Sequence, residues 1–344
     1  MSFNKRQLVL RGLRATGGLR LLEAAHAWQG LLVLNYHRIG IPGESPFDRA
    51  LWSATEDDFD QQVRILKQNC EIIGLDDLPT VERALQTDGR RTRFGMITFD
   101  DGYLDNFEVA FPVLQSNDAP GVFFVTTGFL DESPLAWWDE ISWMVRTSTC
   151  TSITAGDWPD MPVSVDLSDC DQASRTLIQI LYGLTGNRTS EFLDYLADVT
   201  GTGRAPANLS TDLWMNWSHV RDMRAAGMSI GAHSVTHPVL SRLTPEQQSF
   251  EICESKLRVE QELGEPVTAF SYPVGRRDAF NQETRTALTH HGIDWAFSYY
   301  GGFLQGRTGS LIDRLDIPRV AVESDTTLAE FRSFTVLPQL FSRH

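Results

Sequence analysis

Short runs of apolar, β-branched and aromatic residues recur along the chain at 31–36, 70–74, 94–99, 121–126, 228–232, 267–272, 293–298 and 316–322. Helix-like segments separate them, and this alternation predicts parallel βα units. Seven or eight such units suggest a barrel. Between 55 and 69, Phe59, Val63 and Leu66 mark one helical face behind a capping start at Thr55 and Asp58. Thr244 followed by Pro245 predicts another helix start, with Gly264 as its left-handed stop. The stretch from Asn281 to His291, closed by Gly292, repeats that design.

The alternation breaks between residues 131 and 215, where polar and Pro/Gly-rich pieces around 151–170 precede a helical piece near 171–200. The predicted organisation is an N-terminal basic amphipathic segment (1–30), a first barrel part (31–130), an insertion or lid (131–215), a second barrel part (216–325) and a tail (326–344). Residues 201–210 read as a flexible return. The insertion shows no recognisable chemistry of its own.

Composition narrows the partners. Asp and Glu number 45 against 30 Lys and Arg, a formal charge of −15, so the surface repels phosphate backbones and nucleic acid is excluded as a default partner. The four cysteines, Cys70, Cys150, Cys170 and Cys253, lie far apart without CxxC spacing, which fits a reducing compartment. No run reaches the roughly 18 apolar residues of a membrane span. Lys5, Arg6, Arg11, Arg14 and Arg20 interrupt the apolar start, so no signal-peptide core is drawn there. The expected location is cytoplasmic, with two readings of segment 1–30. It could lie on the inner face of a membrane as a peripheral helix, or pack on the body of the domain.

Candidate chemistry sits where strands give out. Ile97-Thr98-Phe99-Asp100-Asp101-Gly102 places two adjacent carboxylates at a strand end, the part of a βα barrel where active sites are built. Successive side chains there point differently, so one acid can bind metal while the other handles a proton. Asp-Asp-Gly is equally a common loop composition. After the next strand, His233 and His237 stand four apart on one turn, and with a carboxylate they make a His₂-carboxylate set that leaves water a coordination position. His26, His219, His290, His291 and His344 carry no such company. A third strand runs into Tyr272-Pro273-Val274-Gly275, a rigid turn.

These residues resemble the polysaccharide deacetylases of the NodB-homology type, carbohydrate esterase family four. TFDDG at 98–102 is similar to the family's first motif and HSVTH at 233–237 to its second. FSYPVG at 270–275 is similar to the third motif of the YPxG branch that acts on exopolysaccharides or envelope glycans. LNYHR at 34–38, WWDE at 137–140 and IPRV at 317–320 add to the likeness. The resemblance implies an α/β fold, a distorted (β/α)₇ barrel with a helical and loop insertion, and metal-dependent removal of N-acetyl groups from N-acetylhexosamine units of an oligo- or polysaccharide. It makes Asp101, His233 and His237 the ligands of a divalent metal, usually zinc, and Asp100 the general base. The third-motif loop, with Tyr272, Pro273 and Gly275, would bind substrate and meet the oxyanion through backbone N–H groups near Tyr272.

The chain departs from the family pattern in two places. Ser271 stands where many members carry an arginine that pairs with the catalytic aspartate, and the late Leu-His-Asp motif is missing, with Asp294-Trp295 as a remnant. Arg319 is the candidate substitute for that arginine, the alternative being a surface salt bridge. His37, after the first strand, is the candidate general acid, because imidazole suits proton transfer near neutrality; the alternative is a structural role in the first loop. Trp137 and Trp138 would stack on sugar faces or anchor the insertion. Two rival functions stand beside deacetylation: an amide hydrolase using the same metal site on another substrate, and a glycan-binding or assembly protein that has lost turnover.

Overall fold

All eight apolar runs contain strand, and seven of them form a ring of parallel strands in the computed structural model. It describes residues 21–22, 28–43, 45–87, 92–154, 158, 161–185, 188–306 and 311–341. The strands are β1 (Gly30–Tyr36), β2 (Arg93–Phe99), β3 (Val122–Val125), β4 (Ser229–Ala232), β5 (Ala269–Ser271), β6 (Trp295–Phe297) and β7 (Arg319–Ala321). Each of the first five pairs with its successor, and β7 returns beside β1. Between β6 and β7 the ring closes through an isolated parallel bridge, Phe297 to Ile317. This is the expected distorted (β/α)₇ barrel.

The eighth run lies outside the ring. Its two-residue strand, Glu71–Ile72, pairs with Phe94 and Gly95 of β2. That edge is free because β3 pairs only with Thr98 and Phe99 of β2.

Side-chain alternation gives the barrel its polarity. Leu31 and Val33, Phe94 and Met96, Val122 and Phe124, Ala269, Trp295 and Phe297, and Ile317 share one apolar cluster. Continuing the same parity along each strand reaches Asn35, Thr98, Asp100, Ser271 and Arg319, all buried. The interior is thus apolar along most of each strand and turns polar at the carboxyl ends. Opposite-parity residues such as Leu32, Leu34, Ile97, Phe99 and Phe123 pack outward in the second, larger core.

Helices follow their capping signals. α1 (Glu56–Asn69) starts on Thr55, whose hydroxyl accepts the Asp58 N–H at 3.1 Å, and buries Phe59, Val63 and Leu66. The insertion supplies α2 (Trp137–Thr147), α3 (Cys170–Gly183) and α4 (Thr189–Thr200). α5 (Trp217–Ala225) leads into β4. α6 (Pro245–Leu263) runs from the Thr244 cap to Gly264 at φ 70°, and α7 (Gln282–His290) starts on Asn281. α8 (Leu328–Val336) follows the last strand.

Two expectations for the insertion change. Part of the irregular stretch 151–170 is an antiparallel hairpin, Ser152–Thr154 against Ser164–Asp166. The return at 201–210 is tied down, because Arg204 reaches both oxygens of buried Glu140 at 2.7 and 3.0 Å and Asp194 at 2.6 Å. The basic amphipathic reading of segment 1–30 falls almost wholly outside the described residues; Leu22 packs against Val336 and Leu337. Among the described residues no helix is long and apolar enough to cross a membrane, and the four cysteines are unpaired.

Candidate functional site

Asp100 directly follows β2, its N–H still donating to the Tyr36 carbonyl of β1 at 3.1 Å. Its two carboxylate oxygens accept from Nη1 and Nη2 of Arg319, both at 2.8 Å, while Ser271 and Asn35 donate to Oδ2 at 3.2 and 3.3 Å. Arg319 is itself fully buried and also donates to Asn35 Oδ1, Ser271 Oγ and the Ser298 carbonyl. Of the two sequence readings, the surface salt bridge is therefore set aside. Burial alone would raise the Asp100 pKa, but the Arg319 charge, helped by His233, holds it well below the ordinary range.

One residue on, the backbone turns. Asp101 has φ 76° and Gly102 φ 93°, so the second carboxylate leaves the strand alternation and faces elsewhere. Its Oδ1 lies 3.5 Å from His233 Nε2 and 3.5 Å from His237 Nε2. His233 Nδ1 sits 2.8 Å from the Ser271 carbonyl, which can only accept, so Nδ1 carries a proton and Nε2 is the nitrogen turned toward Asp101. Burial pushes the His237 pKa down to about 3, which keeps that ring neutral.

The expected single turn between the two histidines is a loop instead, with Ser234 at φ 65° and His237 at φ 57°. Glu251 of α6 holds it, its carboxylate accepting the N–H groups of Val235 and Thr236 at 2.8 and 2.9 Å and the Thr236 hydroxyl at 2.6 Å. Asp101, His233 and His237 bring three ligand atoms within 4.8 Å of one another. Asp101 Oδ1 and His237 Nδ1 are buried without a hydrogen-bond partner. An orphaned carboxylate oxygen facing two imidazole nitrogens fits a divalent ion with a coordination position left open.

These groups line a cavity of about 300 Å³ that also takes in His37, Trp138, Tyr272, Val274 and Tyr299. The His37 ring meets Tyr299 edge-on at 5.6 Å, while the residue's backbone N–H donates to Ser53 Oγ at 3.0 Å and its backbone carbonyl accepts from Asn106 at 2.7 Å. Trp138 is buried, packs edge-on against His237 at 4.6 Å and donates to the Tyr103 hydroxyl at 2.8 Å. Trp137 donates to the His237 carbonyl at 3.3 Å. Both indoles therefore anchor α2 to the histidine loop, and Trp138 is in addition a wall of the cavity. Asp294 is exposed just before β6 and takes no part.

The third-motif loop is arranged differently from expectation. The Tyr272 N–H is used in the strand ladder, donating to Phe297 O at 3.1 Å, and its ring stacks on Phe280 at 3.9 Å. Pro273 has no N–H, and Gly275 donates to the Pro273 carbonyl at 2.6 Å. Within 272–275 the N–H left without a partner among the described residues is that of Val274, held at φ 63°, an uncommon conformation for a β-branched residue. Sequence reasoning missed Val274, Glu251 and Asp139. The Asp139 carboxyl, fully buried in α2, accepts the Tyr103 hydroxyl at 2.9 Å and the Asp48 N–H at 2.9 Å; burial pushes its pKa up to about 7.

The polysaccharide deacetylase family model matches residues 88–173 and 184–296, more than half of the chain. The "Putative polysaccharide deacetylase YxkH" of Bacillus subtilis (strain 168) is 37% identical over 73 residues, 21% of this chain and 25% of that protein. The match thus spans a quarter of the length of this curated relative. The Streptococcus pyogenes deacetylase PplD, solved in complex with acetate, superposes with a TM-score of 0.56 at 17% identity over 91% of this chain and 99% of that one. IcaB from Ammonifex degensii gives 0.52 at 19% identity over 90% and 97%. At such identities the likeness establishes a common barrel fold.

Proposed function

Because the chain belongs to the polysaccharide deacetylase family, we propose that it hydrolyses the N-acetyl groups of N-acetylhexosamine units in an oligo- or polysaccharide, an exopolysaccharide or envelope glycan. The observation that carries this reading is the division of labour between two adjacent buried carboxylates. Asp100 is paired with Arg319, and Asp101 faces two imidazoles with an oxygen to spare.

Asp101, His233 and His237 would hold a divalent ion, zinc by its taste for two imidazoles and a carboxylate; when bound, it polarises the acetamide carbonyl and lowers the pKa of water. Asp100, kept ionised by Arg319, accepts the proton of the attacking water. Arg319 is a positioning residue: it grips both oxygens of the base and fixes the plane of the carboxylate. Charge then develops on the acetamide oxygen, where the Val274 N–H is the available backbone donor. His37, at the rim of the same cavity, gives its proton to the departing amine. The products are acetate and a free amino sugar.

The deciding experiment measures acetate released from N-acetylglucosamine oligomers with and without added zinc, beside Asp100→Asn and His233→Ala. Zinc-dependent release lost in both variants is expected. No acetate from any N-acetylated glycan, with zinc bound at stoichiometry, would move the assignment to another amide or to glycan binding without turnover.

A further inference from the structure

Helix α3 presents Gln172, Arg175, Gln179 and Tyr182 at i, i+3, i+7 and i+10, a spacing that stacks them along one face. Arg175, Gln179 and Tyr182 line the catalytic cavity. Gln172, Arg175 and Gln179 also line a second cavity of about 570 Å³, together with Pro162 of the insertion. The two spaces share Arg175 and Gln179, so a track leads from the reacting carboxylates across the insertion.

The donors on this shared wall are unspent. Among the described residues exposed Arg175 makes no ion pair, and its side-chain hydrogen bond is a long one, 3.4 Å to Gln172 Oε1. Its neighbour Arg276 behaves otherwise, pairing with Asp278 at 2.9 Å and donating to Gln179 Oε1 at 2.7 Å. That bond occupies the oxygen of Gln179 and leaves its NH₂ group facing no described acceptor. The Asp48 carboxyl, also on the cavity wall, accepts the Ala50 N–H at 3.0 Å and feels the Arg146 and Arg175 charges, with no ion pair to Arg175 within 4.0 Å. In a chain of formal charge −15 an acidic glycan is repelled by the body as a whole, so an unpaired guanidinium beside the reacting centre sets where its charge comes to rest.

We propose that Arg175 and Gln179 form a subsite for an anionic group, carboxylate or phosphate, carried by the glycan beside the acetylated sugar, so that the protein selects acidic over neutral acetylated glycans. The inference rests on the deacetylase reading and deepens it. A planar guanidinium with an adjacent amide NH₂ suits an oxyanion with two or three acceptor oxygens.

The test compares kcat/KM for three oligomers of equal length. One is neutral N-acetylglucosamine, one alternates N-acetylglucosamine with glucuronic acid, and one is neutral but carries a terminal phosphate. The zinc-loaded protein is expected to prefer one or both acidic oligomers, the two arms telling carboxylate from phosphate. Arg175→Gln should cut the acidic-to-neutral ratio by about tenfold or more, the worth of one charge-assisted hydrogen bond, and Arg175→Lys should restore part of it. Equal kcat/KM for all three oligomers in the wild type, or an unchanged ratio in Arg175→Gln, would overturn the subsite. If no oligomer releases acetate, the deacetylase reading fails by itself. Calorimetric binding of the same oligomers to wild type and Arg175→Gln then decides the subsite by the same ratio.

Discussion

Asp100 and Asp101 share a side chain and differ in everything around it. A left-handed backbone at Asp101 sends one carboxylate to Arg319 and the other to the histidines. Replacing Asp100 by Asn should lower kcat by about 10²- to 10⁴-fold, the usual worth of a general base, with the thermal transition retained. Arg319→Ala leaves a carboxylate buried without its cation and should cost about 3–5 kcal/mol in urea unfolding. In the protein that remains folded kcat should drop more than KM changes, with partial recovery in Arg319→Lys; equal loss in both parameters would reduce Arg319 to a structural role. Glu251→Gln should weaken zinc binding by about 10- to 100-fold in competition titrations, since it frees the loop that aims His233 and His237. The diacid and the histidine pair were legible because each follows a strand directly, and Arg319 because it stands in the last apolar run. Val274 and Glu251 were not: the first matters through a dihedral angle and an unused N–H, the second through a contact sixteen residues away in the chain.

At the scale of elements, apolar runs and caps located every strand of the barrel and the starts of α1, α6 and α7, since buried parallel strands read as continuous apolar stretches. The insertion was harder to read. Its hairpin is only three residues a side, and α2 packs by two indoles whose neighbours, His237 and Tyr103, lie far off in sequence. Tight strand packing makes Gly231 in β4 a sensitive point. A Cβ there would stand 2.5 Å from the Phe124 ring of β3, so Gly231→Ala should cost about 1–3 kcal/mol, read as a lowered thermal midpoint. The joint between α2 and the Asp48 loop should respond to pH. The folded pKa of Asp139, about 7, lies above the ordinary aspartate value, so its contribution is fully present below about pH 4 and lost as pH rises toward 7. Relative to Asp139→Asn, the wild type should lose up to about 4 kcal/mol of stability across that window in urea titrations at stepped pH.

For the whole molecule, the weak seam of the barrel lies between β6 and β7. Ile317 and Ser298 carry the amides of the Phe297–Ile317 bridge, and both should exchange with solvent deuterium about tenfold or more faster than amides in the middle of β1 and β2. Equal protection would show the ring to be uniformly cooperative. The site spans that seam: Arg319 of β7 donates to the Ser298 carbonyl just after β6, and its other partner, Asp100, follows the second strand 219 positions earlier. A chain still emerging from the ribosome therefore holds its diacid and both histidines long before it holds the guanidinium that keeps Asp100 ionised and aligned. Chemistry at this centre has to wait until translation has passed residue 319, so every working copy is one whose barrel has already closed.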